Sequence, residues 1–535
     1  MSAEFLVACD VGYQYPTRRG IQSLPVLSRL NLGLVEGEFF CLLGPSGCGK
    51  TTVLNLMAGF LQPTAGVLTL AGRPIERPGA DRTVVFQGDD SLFTWLRTID
   101  NVAFGLRMRG VPKHKRHAVA REYLHLVHLD GQESKYPGEL SGGMKQRVQI
   151  ARVLATDPKI LLMDEPFGAL DAQTRGRLQD ELVEIWRKTG KTIVFITHDI
   201  AEAVLLADRV GVMTRGPGAQ VGAIVPVELP RPRRRGSPGF GDVGAHQYDN
   251  RERTGGRVMT EVRPLRQHLA PGALGWLRFP DLVGKIKGEH LIYIASIVGM
   301  IVLWHVVAKT FFKPQFFPGP LLVLATAKEM IASGELFEHI GISLQRILTG
   351  FLIGSAIAAP VGLMMGSVPV VRAIFDPYAQ FFRFVPSLAW LTPVVLWFGI
   401  GEISKILIIV YTTMFIVLIN TMVGVAHIAP NKLHAAACLG ATPFKSFLHV
   451  TLPATLPFIL TGMRLAMGNS FATVVAAEMI AADSGLGYLI FNSRLWMATD
   501  KIFIGIVCLG ALGLVTDRFF RYLVLRFAHQ YGPIE

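Results

Sequence analysis

Residues 44–51, with the sequence GPSGCGKT, fit the pattern G-x-x-x-x-G-K-[ST] and follow an apolar run typical of a buried strand. Glycines here let backbone N–H groups turn inward around phosphate oxygens, and the helix that follows adds its positive N-terminal end. Lys50 is placed to reach the β- and γ-phosphates of a nucleotide, and the Thr51 hydroxyl to bind Mg²⁺. We therefore predict a phosphate-binding loop formed by Gly44, Pro45, Ser46, Gly47, Cys48, Gly49, Lys50, Thr51 and Thr52.

A second run, residues 159–165, reads KILLMDE and predicts an apolar strand that ends in two carboxylates. Asp164 is placed to hold Mg²⁺ through water, and Glu165 to polarise the water that attacks a γ-phosphate. Strands that end in two acids are commonplace. This interpretation therefore depends on the phosphate-binding loop that precedes the run.

The elements that must position these groups lie in the first 230 residues, which predict a soluble α/β domain. Short apolar runs, broken by turns and charged helical stretches, have the character of buried parallel strands. After them, residues 231–258 are rich in Arg, Gly and Pro without any period, which predicts a linker that we extend to 284 as a pre-membrane segment. The predicted strands cover 39–43, 83–86, 159–163 and 192–196.

Composition restricts the class of protein. The 535 residues include 53 Lys and Arg against 40 Asp and Glu, a net charge of +13. Hydrophobic residues make up 50% and charged residues 17%, against roughly 25% charged in soluble domains. This composition argues against a wholly soluble protein and excludes a disordered chain. A basic chain this apolar favours a membrane protein over a nucleic-acid binder, and we expect its basic linker to lie near anionic lipid or in solvent.

The apolar residues are concentrated after residue 290, in six stretches long enough to cross a membrane as helices. The third is interrupted by Pro386 and Pro393. Basic residues before the first stretch and after the last place both ends in the cytoplasm, and the start of the chain has no signal-peptide pattern. The predicted spans are 291–307, 343–371, 386–400, 406–426, 454–480 and 502–516.

The segment 140–147, LSGGMKQR, resembles the signature of the ATP-binding cassette (ABC) family, and the likeness extends over essentially all of residues 1–230. The other motifs follow in the family's order. The resemblance implies an α/β P-loop ATPase fold, with ATP and Mg²⁺ as cofactors. It also implies roles for Gln87 (metal and catalysis), Asp171 (the D-loop), His198 (the switch histidine) and Tyr15 (stacking on adenine, with Tyr13 as the competing choice).

In this family two cassettes pair head to tail. Each ATP lies between the Lys50 loop of one cassette and the Ser141, Gly142 and Gly143 segment of the other. One chain holds one cassette, so the resemblance implies a homodimer or a pair with a paralogous half-transporter.

Residues 434–440, HAAACLG, with 450–453, VTLP, resemble the EAA loop of binding-protein-dependent ABC importers, in which a short coupling helix docks on the cassette. His434 stands where that family has Glu, which puts its acidic contact in doubt. The segments 384–390, 397–405 and 477–488 are similar to nitrate/sulfonate/taurine-type permeases. The resemblance covers roughly 285–527.

This second resemblance implies an all-α six-helix transmembrane permease over 285–535, with a coupling loop at 434–453. It implies uptake of a small solute, mostly an anion, across the bacterial inner membrane. The expected partners are a periplasmic solute-binding protein, the small-molecule solute and membrane lipid, with no nucleic acid.

Two alternatives stay open at this point. Importers of aromatic or vitamin-precursor solutes share the permease signature, and an ABC exporter is a less favoured class because exporters usually carry the membrane part first. Intramembrane polar groups mark transport pathways, although interhelical bonds are at least as common a role. The candidates are Arg346, Asn420, Arg464 and Glu478, with Trp390 and Trp397 favoured for packing.

Overall fold

The computed structural model describes residues 4–16, 24–233 and 289–528. These residues divide into two compact units. One holds 4–16, 24–233, 424–457 and 527–528, and the other holds 289–423 and 458–526. Nearly all of the predicted linker, 231–284, and the basic residues Arg278, Lys285 and Lys287 lie outside the described residues.

Two sheets organise the first unit. A six-stranded sheet has the order β10-β9-β3-β8-β7-β6 and is parallel except for β10, and a four-stranded antiparallel sheet has the order β2-β1-β4-β5. The four strands expected from the sequence are confirmed as β3, β6, β7 and β8. The strands are β1 Leu6–Tyr13, β2 Leu27–Leu34, β3 Phe39–Leu43, β4 Ala65–Leu70, β5 Arg73–Pro74, β6 Arg82–Val85, β7 Ile160–Asp164, β8 Thr192–Thr197, β9 Arg209–Met213 and β10 Val221–Pro226.

The parallel register brings three strand ends to one edge. Leu43 at the end of β3 pairs with Thr197 at the end of β8, and Asp164 at the end of β7 pairs with Ile196. Because parallel strands point the same way, the segments that follow them leave the sheet together. β3 is buried on both faces, which explains its uninterrupted apolar sequence.

Helices cover both faces of the six-stranded sheet and complete two apolar cores. The first helix begins directly after the phosphate-binding loop, with Gly49 as its N-cap in the left-handed conformation at φ +93°. The helices are α1 Lys50–Ala58, α2 Thr98–Val102, α3 Phe104–Met108, α4 Lys113–Leu126, α5 Gly142–Leu154, α6 Ala172–Thr189 and α7 Ile200–Leu206.

In the second unit, five helices are long and apolar enough to span a membrane, or six if one bent helix pair counts as a span. The described helices are α8 Glu289–Phe311, α9 Pro320–Ala332, α10 Glu335–Ser367, α11 Pro369–Phe382, α12 Leu391–Phe398, α13 Glu402–Ala426, α16 Leu452–Ala481, α17 Leu486–Leu495 and α18 Thr499–Ala528. The intervening α14 Pro430–Cys438 and α15 Pro443–Ser446 belong to the first unit.

The third expected span, 386–400, is part of a bent helix pair. The chain here forms α11 and a second helical segment, Ser387–Phe398, bent by 89° at a short break. Pro386 is the cause, because a proline lacks the N–H donor and disfavours helical geometry in the residue before it. The short helices α9 and α17 were not expected either, since neither has the length of a span.

Small residues let α10 and α13 approach closely. A Cβ on Gly350 would lie 2.6 Å from Cβ of Ile409, and one on Gly354 would lie 2.8 Å from Cβ of Thr413. On its other side Thr413 shares a hydroxyl hydrogen bond of 3.2 Å with Ser470 of α16. Small-residue contacts and hydroxyl bonds of this kind hold membrane helices together, where lipid supplies no hydrophobic driving force.

A buried ion cluster ties α10, α13 and α16 together at their ends remote from 427–451. The carboxylate of Glu478 accepts hydrogen bonds from the Ser343 hydroxyl, from Arg346 and from the backbone N–H of Gly487. Arg346 also makes a bidentate pair with Glu402, both bonds at 2.6 Å. Arg346 and Glu478 are almost fully buried, so their role is to bond helices to one another and not to line a transport pathway.

We expect Arg346→Ala to lower the stability of the membrane unit strongly, because it leaves the Glu478 carboxylate buried without its countercharge. Breaking a buried pair in this way costs about 3–5 kcal/mol. The matched control is Lys501→Ala, whose pair with Glu335 is about one-third exposed and should be worth less than ~1 kcal/mol. Thermal unfolding of the detergent-solubilised full chain, followed by size-exclusion chromatography, measures both. Equal melting temperatures for the two variants would contradict the assignment.

Candidate active site

The phosphate-binding loop lies between β3 and α1 with its lysine folded over it. Nζ of Lys50 donates to the carbonyl oxygens of Gly44 at 2.8 Å and Pro45 at 3.0 Å, and the side chain is almost fully buried. Gly47 and Gly49 both have positive φ, a conformation that residues with a Cβ rarely adopt. The loop therefore presents backbone N–H groups and an ammonium to one concave site, as phosphate binding requires.

Two oxygen donors meet beside this loop. The Thr51 hydroxyl lies 3.5 Å from Oδ1 of Asp164, which brings the two predicted metal ligands together. Burial raises the pKa of the Asp164 carboxyl, and the charge of Glu165 adds to that effect while Thr51 and Lys50 oppose it. A hydroxyl and a carboxylate are hard oxygen ligands that suit Mg²⁺.

Glu165 has an unusual backbone. Its φ is +40°, in the left-handed region that residues other than glycine seldom occupy, and such strain is concentrated at functional sites. Its N–H donates to the carbonyl of Ile196 on β8 at 3.1 Å, which holds the turn in place. The carboxylate lies 3.1 Å from Nδ1 of His198, so the structure joins the two residues that the sequence assigned to hydrolysis.

Gln87 lies close to the segment that follows Glu165. A Cβ on Gly168 would lie 3.7 Å from Nε2 of the Gln87 side chain, which is exposed. Further along, Asp171 caps α6 by accepting a hydrogen bond from the backbone N–H of Thr174 at 3.0 Å. Gln87 therefore lies beside the Glu165 segment, whereas the described contact of Asp171 is the cap of α6.

The signature residues occupy a separate place. Ser141 is the N-cap of α5, where its hydroxyl accepts from the N–H of Met144, and Ser141 and Gly142 are exposed. Within the described chain no hydrogen bond or ion pair joins Ser141–Gly143 to the phosphate-binding loop. A helix N-terminus that is open on the surface can contribute to a site on another chain.

The two tyrosines near the start of the chain differ in exposure. Tyr13 is 6% exposed and Tyr15 is 46% exposed, with their rings edge to face at 4.9 Å. Only an exposed ring can offer its face to a nucleobase, which favours Tyr15 over Tyr13.

Sequence reasoning missed a polar stripe on α5. Three side chains at i, i+4 and i+7 on one face of this helix bind the segment 88–91, directly after Gln87. That spacing was a readable signal. The stripe ties the signature helix to the glutamine segment through bonds of Lys145 to Asp89 (2.6 Å), Gln149 to the Gly88 carbonyl (2.5 Å) and Arg152 to the Ser91 carbonyl (2.7 Å).

Comparison with known families matches both halves of the chain. The family described as "ABC transporter" matches residues 27–168, and the family described as "Binding-protein-dependent transport system inner membrane component" matches residues 350–529. The first match contains the phosphate-binding loop, the signature and Glu165. The second contains the coupling loop expected at 434–453.

Curated relatives of the first half are closely similar. The taurine import ATP-binding protein TauB of Burkholderia pseudomallei is 52% identical over 213 residues, which are 40% of this chain and 81% of TauB. The chain belongs to the ABC transporter family. An uncharacterized ABC transporter ATP-binding protein of Methanocaldococcus jannaschii is 52% identical over 40% of this chain and 79% of that protein. The bicarbonate transport ATP-binding protein CmpC of Synechococcus elongatus is 48% identical over 43% of this chain and 35% of its own length.

This ABC transporter binds and hydrolyses ATP and uses it for uptake of a solute. Cassette and permease are fused in one multi-pass membrane chain, and an importer of this type works with a separate substrate-binding protein.

The expected coupling loop packs on the cassette residues of the same unit. Helices α14 and α15 and the π-helical turn Phe447–Thr451 lie in the first unit. Nζ of Lys445 donates to the carbonyl of Met108 at 2.6 Å. Apolar side chains fill the remaining contact, with Ala436, Leu439 and Val450 on Phe93, Trp95, Phe104 and Met108.

His434 makes an aromatic contact in place of the acidic one. Its ring stacks on Phe60 at 4.2 Å with 16° between the planes, and lies 6.5 Å from the ring of Phe86, next to Gln87. Burial lowers the pKa of this imidazole, so the stacked form is the neutral one. The contact therefore needs no charge on either side.

Gly440 and Pro443 set the shape of the segment. An added Cβ on Gly440 would lie 3.6 Å from Cβ of Ala80, an ordinary contact, so space does not require glycine here. What Gly440 supplies is φ +86°, just after α14 ends. Pro443 then begins α15, so residues 434–447 form two short helices.

We expect the docking of α14 to weaken as the pH falls below the ordinary histidine value of 6.5. The docked state has the lower pKa and excludes the proton, so its stability is complete above 6.5 and decreases as protons bind the undocked ring. His434→Phe keeps the stack without titrating. The difference in melting temperature between His434→Phe and the parent should widen from pH 7.5 to 5.5. A difference that is the same at every pH would contradict this.

Proposed function

We propose that Glu165 is the general base of ATP hydrolysis and that His198 positions it. The contact of His198 with Glu165, beside the Thr51–Asp164 pair, supports these two roles. A carboxylate at this place can take a proton from an attacking water. The neighbouring imidazole orients the carboxylate and can bind a phosphate oxygen.

The remaining residues hold the nucleotide. Gly44–Thr52 receive the phosphates through backbone N–H groups, and Lys50 neutralises their charge. Tyr15 stacks on the adenine. Thr51, Asp164 and Gln87 would hold Mg²⁺, which would neutralise phosphate charge when bound.

In our proposal the cassette acts as a dimer, which it forms with a second copy of this chain or with a paralogous half-transporter. Ser141, Gly142 and Gly143 contact the γ-phosphate held by the partner. The open N-terminus of α5 supports this, because its dipole favours a phosphate from outside the chain.

We assign residues 1–230 to the cassette, 231–284 to the linker and 285–535 to the permease, in the bacterial inner membrane. The transported solute is a small anion received from a periplasmic binding protein. TauB, a taurine import protein, and CmpC, a bicarbonate transport protein, support this solute class. The coupling segment 434–453 transmits the arrival of the loaded binding protein to Gln87.

Glu165→Gln should lower the ATPase rate of the purified transporter by at least ~10²-fold, because the amide keeps the shape but cannot accept the proton. ATP should still bind and trap the closed dimer. The matched control is Glu184→Gln, which changes an exposed carboxylate paired with Lys188 and should leave the rate unchanged. Turnover of Glu165→Gln close to that of the control would remove Glu165 from its proposed role.

Ser141→Arg should abolish hydrolysis, because its cation and bulk occupy the place of the partner's γ-phosphate, while ATP still binds at the chain's own Lys50 loop. Lys50→Ala should also be inactive, because it loses ATP binding at its own loop while its Ser141 segment stays intact. Mixed after subunit exchange, the two inactive variants form one intact composite site and should recover part of the activity. An ATPase-active Ser141→Arg monomer would refute the arrangement between chains.

A further inference from the structure

Arg464 is a charged side chain far inside a membrane helix. It is the thirteenth residue of α16, about 18 Å from the Leu452 end and about 25 Å from the Ala481 end at 1.5 Å per residue. Residues 458–481 of α16 belong to the membrane unit, and if the hydrocarbon layer of ~30 Å is centred on them, Arg464 lies ~7 Å inside its boundary. Its partner is Asp517 of α18, with Nε to Oδ1 at 2.6 Å and Nη2 to Oδ2 at 3.1 Å.

This pair differs from the buried cluster in its exposure. The side chains of Arg464 and Asp517 are 41% and 44% exposed, against 3% and 0% for Arg346 and Glu478. A charged group that faces hydrocarbon inside a membrane is costly, and such groups almost always face other polar groups or water. The open side of the Arg464 pair therefore faces water or another polar surface and not lipid.

The rest of that helix face supports the same conclusion. Between Thr461 and Ala472 the exposed residues of α16 are mostly small or polar, with Leu465 as the apolar exception, and the exposed Ile480 lies near the far end of the helix. A lipid-facing surface looks different: on α8 the exposed side chains include Ile297, Val298 and Ile301. The exposed face of α16 around Arg464 comprises Thr461, Arg464, Leu465, Gly468, Asn469 and Ala472.

The charge of this region is positive. Asp517 occupies two of the five guanidinium N–H groups of Arg464, and no other acceptor among the described residues bonds to that side chain. Arg518 and Arg521 follow on α18 and are exposed. Three arginines against one aspartate leave two net positive charges, which attract anions.

We propose that this face of α16 lines the solute pathway and that Arg464 binds the anion in transit. The inference rests on the anion import proposed above and assigns a specificity-determining residue to it. Asp517 is the counter-ion that holds the guanidinium between transport events. An oxyanion can take over the bidentate contact that the carboxylate makes, because both present two oxygens to the planar guanidinium.

Cysteine labelling tests the pathway without knowledge of the solute. In the full chain, Cys9 and Cys508 are replaced by serine and the buried Cys41, Cys48 and Cys438 are kept. Asn469→Cys is then placed on the Arg464 face, and Val298→Cys, on the lipid-type face of α8, is the control. The probes are the water-soluble thiol reagents MTSES, an anion, and MTSET, a cation.

Asn469→Cys should react with both reagents, and Val298→Cys with neither. Adding Arg464→Gln should lower the MTSES/MTSET rate ratio at position 469 about fourfold, the effect of one unit charge ~10 Å away at an aqueous dielectric on two reagents of opposite sign. Asp517→Asn should raise the ratio, and it serves as the second variant if Arg464→Gln does not fold.

An unreactive Asn469→Cys, or a ratio that neither charge variant changes, overturns the proposal. ATPase activity of the same samples is recorded in parallel. An unchanged rate ratio with normal ATPase activity then counts against the role of Arg464 alone, whereas an inactive parent chain counts against the proposed function.

Discussion

The active site depends on the parallel register of β3, β7 and β8. Pairing Leu43 with Thr197 and Asp164 with Ile196 puts three strand ends at one edge, where the chain turns into the phosphate-binding loop, Glu165 and His198. A shift of one residue in this register would turn each strand's side chains to the opposite face. The buried, apolar side chains of these strands make such a shift costly. The packing of the core therefore fixes the distances between groups that are far apart in sequence.

Much of the cassette was predictable because its signals are local. The phosphate-binding loop, the acids after β7 and the cap of α5 each lie within a few residues, and backbone chemistry ties each pattern to its geometry. The left-handed backbone of Glu165 was not predictable, since nothing in KILLMDE distinguishes φ +40° from an ordinary strand end. The stripe on α5 had a readable spacing, but its partners could be found only once the segment 88–91 was placed.

The other features that the sequence did not predict depend on contacts between residues far apart in the chain. His434 stacks on Phe60 and Phe86, which lie about 350 residues earlier in the chain. The sequence therefore showed that the acidic residue was absent, but it could not show that ring stacking replaces the acidic contact. In the membrane unit, composition located the helices but could not rank their polar residues. Arg346 and Arg464 look alike in sequence. Only their exposure distinguishes them: Arg346 is buried and bonds helices to one another, whereas Arg464 is open to its surroundings.

The docking of the coupling segment has a consequence for synthesis of the chain. The apolar groove of Phe93, Trp95, Phe104 and Met108 is complete once the cassette has been made, yet the residues that cover it begin about 200 positions later, at Ala436. At ~5–20 residues per second, a ribosome needs roughly 10–40 s to reach them. During that interval the nascent cassette carries an uncovered hydrophobic groove. A chain interrupted before the coupling segment keeps that groove open permanently, which marks the truncated product for aggregation or for capture by chaperones.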